Sequence, residues 1–331
     1  MPGFEMSQRR PPNAVRRRAE NLRKFLKTDT VPPHTRPRTM VKRKDTYEEA
    51  KGDGHDSSDS GNESEPEIVD VDFDFFDPRP DIDFHAIRNL LRQTFDADNV
   101  LFDLSALTDL ILSQNTLGST VKTDGIESDP FAFLTVINAT EHGANPAVRQ
   151  ILDYLLLKSK PQAELNAELK RLVGQSAEDK SKRPQVGLIL SERLINMPTE
   201  VAPPMYRMLV DEMTWAVQDN EPYKFDYYLF VGKSFTEIAS KIDEEEDRPK
   251  KKKKAGKSSA QTFYFHAEDE TIQAHSDLWM TYKFSKEAQE ADSKRTFQDY
   301  GIMTQGQMML MRASQLAPAI EAMAGLFAVP A

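Results

Sequence analysis

Between Val186 and Met213 the chain reads VGLILSERLINMPTEVAPPMYRMLVDEM, and few folds accommodate that stretch. Gly187-Leu188-Ile189-Leu190 is too short and too evenly apolar for a surface helix; it reads as a buried strand bounded by the charged Ser191-Glu192-Arg193. The chain turns at Asn196-Met197-Pro198. Thr199 can then cap a helix, Pro203 and Pro204 suit a first helical turn that needs no amide hydrogens, and Met205, Met208, Leu209 and Trp215 recur at helical spacing. A buried strand, a loop and an amphipathic helix form the kernel of an α/β layer, which needs further strands on both sides.

Those strands are legible on either side. Val69, Val71, Phe73 and Phe75 alternate with aspartates, the period-two pattern of a strand with one buried face. Asp83 can cap a helix with the apolar stripe Phe84, Ile87, Leu91 and Phe95. Leu104 to Leu112 supplies a second helix, Gly118 to Val121 and Phe131 to Ile137 two strands, and Ala147 to Leu157 and Ala163 to Val173 two more helices. Beyond the central helix, Phe225 to Val231, Thr262 to Phe265, Trp279 to Phe284 and Gly301 to Met311 read as strands, and Ser314 to Phe327 as a closing helix. The expected fold is a single α/β domain, residues 67–331, with a mixed sheet flanked by helices.

The 331 residues are not all expected to fold. Residues 1–66 lack apolar periodicity and have the composition of a disordered tail, basic from Arg9 to Lys44 and acidic from Asp45 to Asp83, so the net charge of -10 conceals a change of sign along the chain. Arg16, Arg17 and Arg18, and Lys42, Arg43 and Lys44, suit nuclear import or a nucleic-acid contact, or are a solvated basic arm. The block Asp243 to Asp247 followed by Lys250, Lys251 and Lys252, with Lys253 and Lys254, reads as an exposed insertion at about 243–260 between neighbouring strands, and its lysines are further import candidates. No run reaches the roughly 20 apolar residues of a membrane span, and the start does not resemble a secretory signal, which points to a soluble intracellular chain. The sequence contains no cysteine, which removes disulfides, thiolate metal sites and a cysteine nucleophile.

Catalytic patterns are sparse. The six histidines include no pair at the i, i+4 spacing that places two ligands on one helical face. Neither a GxSxG elbow nor a GxxxxGK[ST] phosphate loop occurs. Asp70, Asp72 and Asp74 invite a calcium or magnesium reading, but they lack EF-hand spacing, and alternation alone puts them on the wet face of a strand. A mixed sheet with a central strand and following helix is also the plan of the GNAT acetyltransferases. Their coenzyme A loop needs glycine amides at a helix start, whereas Thr199 to Pro204 offers prolines, so the core is expected to be GNAT-like without the cofactor loop, and no cofactor is expected.

Several anchors in fixed order resemble the BCCIP family from roughly Met40 to the C-terminus. They are an acidic serine-rich tail, VDVDFDFFDP at Val69 to Pro78, DFHAIRNLLRQTF at Asp83 to Phe95, VGLILSERLINMP with its PPMY helix, FDYYLFV at Phe225, and a lysine-rich insertion before FYFHAEDE at Phe263. Met40-Val-Lys-Arg-Lys resembles an ordinary family start, and residues 1–39 are expected to be dispensable or a gene-model artefact. The resemblance implies a non-catalytic domain that shuttles between nucleus and cytoplasm. It implies a part in nuclear export of cargo such as a phosphatidylinositol-phosphate kinase, and chaperoning of a basic large-subunit ribosomal protein of the universal L-fourteen class in ribosome biogenesis. Animal members bind a breast-cancer susceptibility protein and a cyclin-dependent kinase inhibitor.

The residues agree with such a carrier: carboxylates at Asp70, Asp72 and Asp74 can replace RNA phosphates around a cationic client, and an apolar groove could come from Met205, Tyr206 and Met308. Two rival readings are a GNAT-type acyltransferase and a nucleic-acid binder that uses the basic arm.

Overall fold

Alternation along the strands builds two cores, one on each face of a single sheet. The computed structural model describes residues 71–114, 117–174, 183–237, 262–285 and 302–328. Among these the strands are β1 (Asp74–Phe76), β2 (Ser119–Lys122), β3 (Ala132–Asn138), β4 (Val186–Arg193), β5 (Tyr227–Glu237), β6 (Thr262–Tyr264), β7 (Leu278–Tyr282) and β8 (Ile302–Arg312). They lie in the order β1-β2-β3-β4-β5-β8-β7, with β6 on β5. Phe133 and Ile137 of β3, Leu188 and Leu190 of β4, Leu229 and Val231 of β5, and Met308 and Leu310 of β8 face one core. Their alternating neighbours Leu134, Val136, Ile189, Phe230, Met309 and Met311 face the other.

Helices cover both faces. The first core is closed by α1 (Phe84–Phe95), α2 (Leu104–Ser113), α3 (Pro146–Lys158) and α4 (Ala163–Val173). The second is closed by α5 (Ala202–Gln218), α6 (Glu268–Ala274) and α7 (Leu316–Leu326). The architecture is the expected α/β one with a mixed sheet: every neighbouring pair among the described strands is antiparallel except β4 and β5, which α5 joins as a crossover.

Three local expectations are corrected. Among the described residues the alternating segment yields only the three residues of β1, because β2 offers a ladder of four residues and the pairing runs out at Asp74 opposite Lys122; Val71 is 51% exposed. Asp83 occupies the helix N-cap without capping it. Its carboxylate instead accepts from Arg79 N at 2.7 Å and pairs with the fully buried Lys122 at 2.6 Å. Thr199 opens a 3-10 turn, and α5 starts at Ala202 with its prolines in the first turn. The tail up to Asp70 and the insertion at about 243–260 lie outside the described residues.

Candidate functional site

Strands β4 and β5 run side by side only from Val186 to Leu190 and from Tyr227 to Val231. Past that point β6 takes the same edge of β5, at Ser234 to Thr236, while β8 follows β5 along its whole length. The parting exposes the last residues of β4 to side chains from β5, from α6 and from the segment that joins β6 to α6. Those residues are Ser191, Glu192 and Arg193, which do not bound the strand but continue it; Glu192 and Arg193 are buried.

A layer of charge fills the gap. Glu192 Oε1 lies 2.6 Å from His266 Nε2, and its Oε2 lies 3.1 Å from Lys233 Nζ, which also donates to the carbonyl of Gln93 at the end of α1. On the other face, Arg193 donates from Nε and Nη2 to the two carboxylate oxygens of Glu268, each at 2.9 Å, and from Nη1 to the carbonyl of Met197. Asp269, partly buried in the first turn of α6, accepts from Gln307 Nε2 of β8 at 2.6 Å. The bidentate fork between Arg193 and Glu268 is the strongest geometry available to such a pair.

Electrostatics follow from that packing. Burial alone would raise Glu192, and His266 and Lys233 outweigh it, holding the carboxyl below its usual range. Burial alone would lower His266, and Glu192 outweighs it, so the imidazole is raised above 6.5. Asp269 is pushed up to about 7, chiefly by burial and further by Glu268 and Glu192, against the opposing pull of His266 and Arg193. Burial also raises the Tyr206 hydroxyl, which faces Asp269 and Glu268. The layer ties β4, β5, β8 and α6 together and holds protons near neutrality. Arg193 is taken up by Glu268 and the carbonyl of Met197.

The residues singled out from sequence fall elsewhere. Asp74 is exposed on the edge strand and Asp72 just before it, whereas Asp70 lies outside the described residues, as do Arg16, Arg17, Arg18, Lys42, Arg43, Lys44, Lys250, Lys251 and Lys252. Met205, Tyr206 and Met308 are buried, and the apolar groove expected from them is corrected accordingly. Met205 and Tyr206 sit in the core under α5, while Met308 points into the core on the opposite face, so the three cannot line one surface. Among the described residues no group of three or more histidines and carboxylates is placed to hold a metal ion. Lys233, His266, Glu268 and Asp269 were not anticipated as a site, and Glu192 and Arg193 were read as the charged boundary of the strand. A signal existed in the charged pair that follows an apolar run with no turn residue before Asn196.

An α/β sheet whose parted strands are closed by buried ion pairs is the class of protein these features define, and the model of the BCCIP family matches residues 68–272, more than half the chain. The chain belongs to the BCCIP family. It is 48% identical to the protein named bcp1 from Aspergillus fumigatus over 84% of this chain and 94% of that one. It is 44% identical to the bcp1 of Schizosaccharomyces pombe over 74% of this chain and 86% of that one. The crystal structure of BCP1 from Saccharomyces cerevisiae superposes with a TM-score of 0.52 at 28% identity, covering 77% of this chain and 88% of that one. The resemblance therefore runs to the Bcp1-type members, whose names carry no enzymatic activity.

Proposed function

We propose that this protein is a non-enzymatic nucleocytoplasmic chaperone and adaptor in nuclear export and protein transport, shielding a basic large-subunit ribosomal protein of the universal L-fourteen class. The observation that supports this reading most directly is the acidic surface at the β1 end of the sheet. Asp72 and Asp74 are exposed there, and Arg79 joins that strand to the β2–β3 turn by pairing with Glu127 at 2.8 Å. Exposed Asp124, Glu127 and Asp129 continue the surface, and Val71 and Ile126 stand among them as exposed apolar side chains. Carboxylates with interspersed apolar contacts suit a cationic client whose normal ligand is RNA phosphate. Belonging to the BCCIP family supports the same reading, as does the acidic run that leads into β1.

In this reading the protein shuttles between nucleus and cytoplasm, with the basic clusters at Arg16 to Arg18, Lys42 to Lys44 and Lys250 to Lys252 serving import. Export cargo such as a phosphatidylinositol-phosphate kinase is a further partner. Co-expression of the full chain with the L-fourteen-class ribosomal protein, followed by gel filtration at low and high salt, tests it. A stoichiometric complex that survives high salt is the expected result for combined charge and apolar contact. A complex lost in salt assigns the interaction to charge pairing alone. No complex at either salt removes the ribosomal client and leaves other cargo.

A further inference from the structure

Once opposite charges in the buried layer are paired, two titratable groups are left over. Glu192 faces both Lys233 at 3.1 Å and His266 at 2.6 Å, and Glu268 faces Arg193 at 2.9 Å, so by count of charge the two carboxylates are balanced by Lys233 and Arg193, and the protons of His266 and Asp269 set the net charge as an acid–base couple. With one proton on that couple the layer is neutral; with two it is positive, and with none it is negative.

The surroundings accommodate more than one of these states. Gln307 Nε2 donates to Asp269 Oδ2 at 2.6 Å, while Gln307 Oε1 is buried with no hydrogen-bond partner among the described residues. An amide suits both forms of the acid. Its nitrogen donates to a carboxylate, and turned over, its oxygen accepts from a carboxylic O–H, for which 2.6 Å is an ordinary separation. His266 Nδ1 is likewise buried without a partner among the described residues, whereas Nε2 is held by Glu192. The β5 backbone presses against the couple at Gly232, where a Cβ would stand 3.0 Å from Gln307 Nε2 and 3.3 Å from Asp269 Oδ2.

The charged and titratable groups around the couple are Glu192 and Arg193 from β4, Lys233 from β5, Tyr206 from α5, Tyr264 from β6 and Glu268 from α6. Helix α6 in turn packs against the C-terminal helix α7 and buries Ile272 in the second core.

We propose that His266, just before α6, and Asp269, in its first turn, form a proton-operated latch for that helix. The protonated couple holds α6 across β4, β5 and β8, and proton loss as the pH rises through neutrality leaves excess negative charge that loosens α6 and its seat against α7. The sign follows from linkage. The latched form keeps a carboxyl proton that an opened, solvated Asp269 has already lost, so latching is strongest in acid and weakens until the latched form also ionises, near pH 7. For that one proton, opening gains on the order of tenfold between pH 6 and pH 8.

Amide hydrogen exchange of Glu268 to Ala274 in the full chain, wild type against Asp269→Asn at the same pH values, reads this directly. The expected result is that opening of α6 rises about tenfold more in the wild type than in the variant between pH 6 and pH 8. Equal pH dependence in the two proteins would overturn the latch. Because the variant could fail to fold, the Asp269 carboxyl carbon is also titrated by NMR in the wild type. A midpoint near neutrality supports the latch, and one in the ordinary carboxylate range near 4 overturns it.

Discussion

Glu192 and Arg193 are consecutive in β4 yet serve opposite faces of the sheet, Glu192 holding His266 at 2.6 Å on one side and Arg193 holding Glu268 at 2.9 Å on the other. Period-two alternation sends neighbouring side chains in opposite directions, so two adjacent charged residues fasten one strand from above and below. Both partners come from the short stretch His266 to Glu268, which thereby wraps the end of β4.

Replacing Arg193 by Met strands Glu268 as a buried, unpaired carboxylate. Removal of one partner from a pair this deeply buried costs about 3–5 kcal/mol, measurable as a lowered urea midpoint of the full chain. Arg193→Met combined with Glu268→Met is expected to recover most of the loss, because two apolar groups leave no charge behind. A double variant as unstable as the single one would mean that the single hydrogen bond to the Met197 carbonyl carries the stability instead.

His266 is held above its ordinary 6.5 by Glu192, against the burial that would lower it. In Glu192→Gln the strongest attraction goes while the burial stays and Asp269 and Glu268 still pull upward, so the imidazole should titrate lower than in the wild type in an NMR pH series. In the wild type its contribution to stability is complete below 6.5 and is lost as pH rises through the raised folded value. An unchanged midpoint in the variant would contradict the account of the pair.

Gly306 lies under the ring of Tyr282, where an added Cβ would come within 2.3 Å of a ring carbon. Gly306→Ala is therefore expected to destabilise by about 1–3 kcal/mol, as overpacking does. Gly325, near the end of α7, has open space around it. Gly325→Ala should stabilise by a few tenths to about 1 kcal/mol through helix propensity. Equilibrium unfolding of the two variants side by side checks both signs.

Asp72 and Asp74 touch solvent rather than core, so Asp72→Asn with Asp74→Asn should leave stability within about 0.5 kcal/mol. If the acidic end of the sheet receives a cationic client, the same double variant weakens the complex most at low salt, where exposed charges are least screened. Titration calorimetry at two salt concentrations separates that outcome from an unchanged affinity, which would place the client elsewhere.

The helices and most strands were legible because apolar spacing reports which face is buried. Phe84, Ile87, Leu91 and Phe95 predicted α1, and the run from Phe225 predicted β5, for that reason. The extent of β1 was not legible, since alternation from Val69 says nothing about how long a partner strand is. Met205, Tyr206 and Met308 could be named as apolar but not assigned to opposite cores without the register of the sheet. The ion layer was the least visible feature. Arg193 and Glu268 are 75 positions apart, and local charge patterns do not encode such a pairing. Sequence marked Glu192 and Arg193 as a strand boundary because charge usually means solvent, an inference that fails where two strands part and opposite charge is waiting.

The place of β8 in the sheet has a consequence for how the protein is made. It is the last of the described strands, yet it lies between β5 and β7 and pairs with β5 over eleven consecutive registers from Tyr227–Arg312 to Glu237–Ile302. A ribosome delivers β5 long before β8, so the growing polypeptide must keep that edge of β5 unmatched until Ile302 to Arg312 have been made. Closure through contacts this distant in sequence is slow, and the waiting edge is an opening for wrong partners. A premature stop codon ahead of Ile302 would therefore remove an interior strand of the sheet rather than trim its end.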